Sequence, residues 1–229
     1  MSIKLGDKFP NFSCDTSTGK IEDFHAWLGD SWGILFSHPA DFTPVCTTEL
    51  AKACELAPEF ARRNVKMIAL SCDDAVSHRE WTCDIIAYGQ MAGMIEENPK
   101  GFPFPIIADT DKKLANILGM LDPEEIGSDG EPLTARAVFI IGPNKKLKLS
   151  ILYPATTGRN FDEILRVIDS LQLTAINKVA TPVNWNVGDK CMIVPKLSDE
   201  DAKEIFGNNV ISLDLPSQKK YLRLTPMPE

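Results

Sequence analysis

Trp32-Gly-Ile-Leu-Phe-Ser-His-Pro-Ala-Asp-Phe-Thr-Pro-Val-Cys-Thr-Thr-Glu49 joins an apolar run to the start of a helix, and that join decides how the chain is read. Trp32–Ser37 is short, apolar and rich in large side chains, as in a strand buried on both faces. Thr43 is a helix-capping residue type, and Pro44 suits the first helical position, where its missing N–H costs nothing. Counting on, Cys46 takes the third helical position and faces the unpaired amides of the first turn.

Outward from this stretch, Val65–Ser71 reads as a second buried strand and Pro105–Ala108 as a short third. Ala135–Ile141 and Leu147–Leu152 flank the turn Gly142-Pro-Asn-Lys145 and predict a hairpin. Helices are expected over 44–63, 75–90, 111–119 and 160–172. In the last of these, Phe161, Ile164, Leu165, Ile168 and Leu171 keep the helical rhythm. Such alternation, ending in a hairpin and a helix, implies an α/β fold with both sheet faces covered. The order suits a thioredoxin-like core, a mixed sheet flanked by helices. After about residue 175 turn residues and prolines recur, which places a small C-terminal α+β domain at 175–229 behind a main domain of 1–174. The glycine- and proline-rich segment 89–103, including Pro99, is expected to be a long loop.

The chain has 229 residues, 44% of them hydrophobic, enough for a core; its net charge of −8 and lack of a basic run argue against a nucleic-acid partner. The first ten residues carry no apolar stretch of a secretory signal, and no run approaches the roughly 18 residues of a membrane span. Six cysteines, at 14, 46, 54, 72, 83 and 191, occur without a Cys-x-x-Cys pair, which suggests reduced thiols and a cytoplasmic setting.

A thiolate is the reactive form of cysteine, and a free thiol titrates near pH 8.5 (about). A helix N-terminus favours negative charge by about 0.3–1 kcal/mol when exposed and up to about 2 kcal/mol when partly buried. One pKa unit corresponds to about 1.36 kcal/mol, so strong activation wants a cation as well. Arg136 is the first candidate and Arg159 the second. The other five cysteines read as packing residues, with Cys83 on a helix surface.

Pro39-x-x-x-Thr43-x-x-Cys46 resembles the peroxiredoxin active-site motif, and Phe36–Glu49 as a whole is similar to the one-cysteine subfamily. Phe104-Pro-Ile-Ile107, Leu118-Gly-Met-Leu-Asp122 and Leu152-Tyr-Pro-Ala-Thr-Thr-Gly-Arg-Asn160 extend the resemblance over nearly the whole chain. It implies a thiol peroxidase that reduces hydrogen peroxide and organic, including phospholipid, hydroperoxides through a sulfenic acid at Cys46. Thr43 would set its hydroxyl on the sulfur and the peroxide, Arg136 would stabilise the thiolate, and Pro39 would shield it from water. Arg159 resembles the second arginine of the family; Glu49 would orient an arginine, and His38 and Trp81 would flank the pocket. The family usually forms homodimers, for which Leu147–Leu152 offers an edge; the C-terminal domain would serve dimerisation or cover the pocket.

Two-cysteine relatives carry a resolving cysteine in a Val-Cys-Pro segment, and the similar stretch here is Val179-Ala-Thr181-Pro182, with threonine in place of sulfur. The resemblance therefore implies recycling by an external thiol, such as glutathione with a helper enzyme, and no metal or organic cofactor. Cys191 is the alternative resolving thiol, though its setting reads as packing.

Gly29-Asp30-Ser31-Trp32-Gly33 fits the Gly-x-Ser-x-Gly pattern, but it precedes a strand where a nucleophile elbow follows one. The family resemblance associates Ser31 and His25 with a phospholipase A2-type activity. The acid of that set falls at Asn144, which cannot stabilise a histidine cation as a carboxylate does. A non-catalytic redox sensor is the remaining alternative. Cys72-Asp73-Asp74 with His78 and Cys83 matches no zinc spacing, and Asp73 or Asp74 is better read as a helix cap.

Overall fold

The computed structural model describes residues 3–96, 100–127 and 130–228. The chain falls into two compact units, Met1–Phe161 and Asp162–Glu229. In chain order the elements of the first are β1 (Cys14–Thr16), β2 (Gly19–Ile21), α1 (Phe24–Leu28), β3 (Trp32–Ser37), α2 (Pro44–Arg62), β4 (Val65–Ser71), α3 (Ala75–Met91), β5 (Ile106–Ala108), α4 (Lys113–Leu118), β6 (Leu121–Ile126), β7 (Pro132–Thr134), β8 (Arg136–Ile141) and β9 (Leu147–Tyr153). There follow α5 (Phe161–Ile176), β10 (Val179–Ala180), β11 (Cys191–Ile193), α6 (Asp199–Phe206), β12 (Ile211–Ser212) and β13 (Arg223–Thr225).

Seven strands form one mixed sheet in the order β2-β1-β5-β4-β3-β8-β9. The β3–β4 and β4–β5 pairs are parallel, while β3–β8, β8–β9 and β1–β5 are antiparallel. The apolar runs take the centre: all residues of β3 and β8 are buried, and so are those of β4 apart from Lys66. Successive side chains of a strand alternate between faces. Leu35, Ile68, Leu70, Ile107 and Phe139 share one face and pack with Phe24 and Leu28 of α1 and Leu114 and Leu118 of α4. Ile34, Phe36, Met67, Ala69, Val138 and Ile140 occupy the other and are buried too. There α2 lies against β4, and α3 against β5. This is the α/β, thioredoxin-like core expected from the sequence.

Some elements depart from expectation. The short hairpin of β1 and β2 and the ribbon of β6 and β7 carry too few apolar residues to register as strands. Helix α3 runs to Met91, three residues into the expected loop, and Ile95 folds back over Gly89 where a Cβ would clash with its Cδ1. Pro99 of that loop lies outside the described residues. Asp74, not Asp73, caps α3, accepting from the amides of Val76 and Ser77.

The second unit holds a four-stranded antiparallel sheet, β10-β11-β13-β12, with α6. The two units divide between Phe161 and Asp162, within the first turn of α5, so that nearly all of this helix belongs to the second unit. The helix is tied forward in the chain: Leu173 packs against Val179, Trp185 and Cys191, Arg166 Nη1 donates to the Trp185 carbonyl at 2.9 Å, and the hydroxyls of Ser170 and Thr181 lie 2.6 Å apart. Cys191 is buried in that core as expected, and Cys83 is exposed on α3. Cys14, Cys54 and Cys72 are half-buried, and Cys14 and Cys72 pack against the main core as expected. Burial lifts the Cys54 thiol to about 12, and burial together with Asp15 and Asp109 lifts Cys14 to about 12.

Candidate active site

Cys46 is fully buried at the third position of α2, three residues ahead of Glu49 on the same helix face. Pro44 opens the helix, and Thr43 holds the extended backbone of an N-cap. The expected hydroxyl cap is not formed. Thr43 Oγ1 donates instead to the Ala40 carbonyl at 2.9 Å, which fastens the loop that returns into the helix. The preceding Phe42 has φ 52°, a left-handed conformation that strains a residue with a side chain. Its ring stays exposed at the rim of an open depression of about 500 Å³ lined also by Thr43, Thr47, Trp81, Tyr88 and Met91. Pro39, in the segment joining β3 to α2, is buried.

Two arginines from distant parts of the chain converge on this helix start. Arg136 opens β8, and its Nη1 lies 3.3 Å from Cys46 Sγ and 2.8 Å from Glu49 Oε2. Its Nε and Nη2 donate to the Ala155 carbonyl at 2.9 and 2.6 Å. Arg159 grips the other side of Glu49: its amide and Nε donate to Oε1 at 2.6 and 3.0 Å, and Nη2 to Oε2 at 2.8 Å. Arg159 Nη1 reaches the Ala137 carbonyl at 2.8 Å. Its guanidinium carbon stands 5.7 Å from the centre of the Phe36 ring. Arg136 therefore bonds the sulfur, and Arg159 bonds the carboxylate that holds Arg136.

Burial pushes the Glu49 carboxyl upward, but the Arg159 guanidinium, helped by Arg136, holds it below its ordinary 4.5. A carboxyl whose folded value is depressed contributes stability above its unfolded value and loses it as pH falls through the folded one. The urea midpoint of the wild type is thus expected to fall steeply below pH 4.5. Glu49→Gln, titrated in parallel, is expected to show a lower midpoint at neutral pH and a shallower acid slope; equal slopes would refute the role of Glu49.

His38 and Trp81 lie in a second buried network. His38 Nε2 donates to Asp41 Oδ1 at 2.9 Å, while Asp41 Oδ2 meets His78 Nδ1 at 2.7 Å and the Ser77 hydroxyl at 2.8 Å. Burial lowers the His38 pKa although Asp41 pulls it upward; burial also opposes ionisation of Asp41, yet the bonds from His38 and His78 hold that carboxyl well below the usual range. The His38 and Trp81 rings are 5.0 Å apart, and Trp81 Nε1 donates to the Thr47 hydroxyl at 3.2 Å. Among the described residues, His38, Asp41 and Asp73 form one group compact enough to share a cation, with ligand atoms within 4.8 Å of one another. These groups are bonded among themselves, since the Asp41 amide also donates to Asp73 Oδ2 at 2.9 Å.

The serine motif is arranged differently. Ser31 Oγ donates to Asn64 Oδ1 at 2.9 Å, His25 Nε2 bonds the Phe9 carbonyl at 2.8 Å, and Asn144 Oδ1 accepts from the Lys146 amide at 3.2 Å. Each side chain that would build a triad is engaged elsewhere.

Sequence reasoning missed Asp41 and the Ala155 carbonyl, and weighed His78 only as a metal ligand and not as the partner of Asp41. Asp41 stands inside the quoted motif and could have been paired with a histidine; the carbonyl left no signal in side-chain identities.

Residues 5–150 match the AhpC/TSA family, and residues 170–209 match the C-terminal domain of 1-Cys peroxiredoxin. The chain is 65% identical to peroxiredoxin-6 of Gallus gallus over 227 residues, 99% of each protein. It is 59% identical to the 1-Cys peroxiredoxin of Onchocerca volvulus over 98% of this chain and 97% of that one. Among solved structures, a cysteine-to-serine mutant of peroxiredoxin 6 from Arenicola marina superposes with a TM-score of 0.94 at 57% identity, covering 100% of both chains. A yeast mitochondrial 1-Cys peroxiredoxin, studied for thiol resolution via glutathione/thioredoxin systems, superposes with a TM-score of 0.85 at 44% identity over 98% of this chain and 99% of that one. A buried thiol at a helix start with a guanidinium against its sulfur is what a peroxide-reducing cysteine requires, and with these likenesses the chain belongs to the peroxiredoxins, as a thiol peroxidase of their one-cysteine branch.

Proposed function

We propose that Cys46 is the peroxidatic cysteine and that its oxidised form is recycled by an external thiol. The observation that carries this is the 3.3 Å contact from Arg136 Nη1 to the sulfur at the N-terminus of α2. The thiolate attacks the terminal oxygen of the hydroperoxide, an S–O bond forms, the O–O bond breaks, and the departing oxygen leaves as water or an alcohol after taking a proton. Arg136 stabilises the sulfur anion and the departing oxygen, Glu49 and Arg159 hold Arg136, and Pro39 excludes water. The Thr43 hydroxyl gives its proton to Ala40, which leaves its lone pairs for the O–H of an incoming peroxide. His38 and Trp81 shape the inner wall.

A sulfenic acid needs a thiol before further oxidation overtakes it. Thr181 stands where a resolving cysteine would be and bonds Ser170, and Cys191 is buried in the second unit with a raised pKa, chiefly through burial. Both features favour an external reductant such as glutathione; glutathione/thioredoxin systems are named for the yeast relative. Hydrogen peroxide and organic hydroperoxides, including phospholipid ones, are the proposed substrates. The cytoplasm is the proposed setting, and a homodimer the proposed assembly, with the edge strand β9 as a pairing surface. No helix among the described residues is long and apolar enough to cross a membrane. A hydrolase centred on Ser31 has no comparable support, since its hydroxyl is spent on Asn64.

Hydrogen peroxide consumption with dithiothreitol tests the cycle. A variant with Cys14, Cys54, Cys72, Cys83 and Cys191 all replaced by serine is expected to turn over within about twofold of wild type, since substitutions outside a reacting set leave transition-state stabilisation intact. A variant that stalls after one turnover would make one of those thiols the resolving group.

A further inference from the structure

We propose that Ser37 is a positioning residue whose hydroxyl fixes the segment of β8 that carries Arg136 against Cys46. Ser37 ends β3 and is fully buried. A hydroxyl in such a place is costly unless bonded, and its two bonds have a particular target. Oγ donates to the Ala135 carbonyl at 2.6 Å and accepts from the Ala137 amide at 3.0 Å. These are the peptide groups on either side of Arg136.

The position in the sheet explains why a side chain does this. The backbone register of β3 with β8 runs from Gly33↔Ile141 to Phe36↔Val138 and ends there. Beyond it hydroxyls make the links: Ser37 spans Ala135 and Ala137, and Thr134 Oγ1, at the end of β7, donates to the carbonyl of His38 just after β3 at 2.6 Å. The segment so held delivers two things to the site. Arg136 sends Nη1 to the sulfur, and the Ala137 carbonyl takes Arg159 Nη1. Without the Ser37 hydroxyl, the Ala135 carbonyl and the Ala137 amide would both be left unbonded by it in the interior, free to relax at the residue that sets the Arg136 to Cys46 distance.

The inference rests on the assignment of Arg136 to Cys46 and is tested so that the two can fail separately. Single-turnover oxidation of Cys46 by hydrogen peroxide would be timed in wild type, Ser37→Ala, Arg136→Ala and the double variant. Misplacing a catalytic group by 1 Å costs on the order of 10²-fold, and a smaller relaxation here is expected to slow Ser37→Ala about tenfold. In the Arg136→Ala background the same change is expected to cost less than about twofold, because coupled residues are non-additive. The pH profile of Cys46 alkylation by iodoacetamide is expected to move to higher pH in Ser37→Ala, with Glu49, Arg136 and Arg159 as the charges around the sulfur. Ile34→Val, a core truncation in the same strand, is expected to lower thermal stability with rate and profile unchanged. Equal slowing in both backgrounds, a wild-type rate in Ser37→Ala, or an equal effect of Ile34→Val would overturn the role of Ser37. An undiminished rate in Arg136→Ala alone would instead overturn the assignment beneath it.

Discussion

Replacing Cys46 by serine is expected to bring peroxide consumption down to the buffer blank, a loss of more than about 10⁴-fold, because a serine hydroxyl without an adjacent base is a weak nucleophile. The site supplies positive potential, through Arg136 and the helix start, and potential alone does not ionise an alcohol near neutral pH. Three of the other thiols are disfavoured as nucleophiles by burial. Cys14 and Cys54 are lifted to about 12, chiefly by burial, and Cys191 is raised by burial in its own core. The serine variant keeps the shape of the residue, so its melting temperature is expected to stay close to that of wild type. Consumption above the blank, in the presence of dithiothreitol, would sink the assignment of Cys46.

The second large effect concerns stability. Glu49 is 4% exposed between Arg136 at 3% and Arg159 at 8%. Removing one partner of a buried ion pair strands the others and costs about 3–5 kcal/mol. For a chain of this size about 1 kcal/mol moves Tm by roughly 2–4 °C. Glu49→Ala is thus expected to lower the transition by roughly 6–20 °C and to slow Cys46 oxidation, since Arg136 loses the carboxylate that aims it. Glu59, bonded to Arg62 and Arg63 on the outer face of the same helix, is the control. Exposed pairs are weak and screened, so Glu59→Ala is expected to leave Tm nearly unchanged. Similar falls in the two variants, followed by calorimetry, would show that burial of the Glu49 triad carries no special weight.

The central strands were legible because they are buried on both faces. Trp32–Ser37 is apolar up to its final serine and Val65–Ser71 is interrupted only by the exposed Lys66 before its own, and both appear with the expected bounds. Edge elements were not, because Gly19-Lys20-Ile21 and Pro132-Leu133-Thr134 are too short and too polar for a period to emerge. In the site, spacing along one helix could put Cys46 and Glu49 on one face. Arg136 could be ranked ahead of Arg159, but neither could be placed beside Cys46, since that depends on how β8 and the loop after β9 come back to the helix. Ser37 was hidden for another reason. As a single hydroxyl closing an apolar run it looks like a strand end, and its meaning lies in which two peptide groups it touches.

The arginine clamp also bears on when reactivity arises during synthesis. Cys46 and Arg136 are 90 residues apart in the chain, and Glu49 and Arg159 are 110 apart. Such long-range pairings form late in folding, after the intervening loops have closed. A nascent chain released up to β5 already holds the thiol, its helix and two parallel partners of the sheet, but neither guanidinium. On the proposed role of Arg136, the thiol is expected to lack this activation while the ribosome is still adding the second half of the sheet. Oxidation of Cys46 is then expected to quicken only with the arrival of Arg136, and a chain stalled before that residue is expected to react slowly with peroxide.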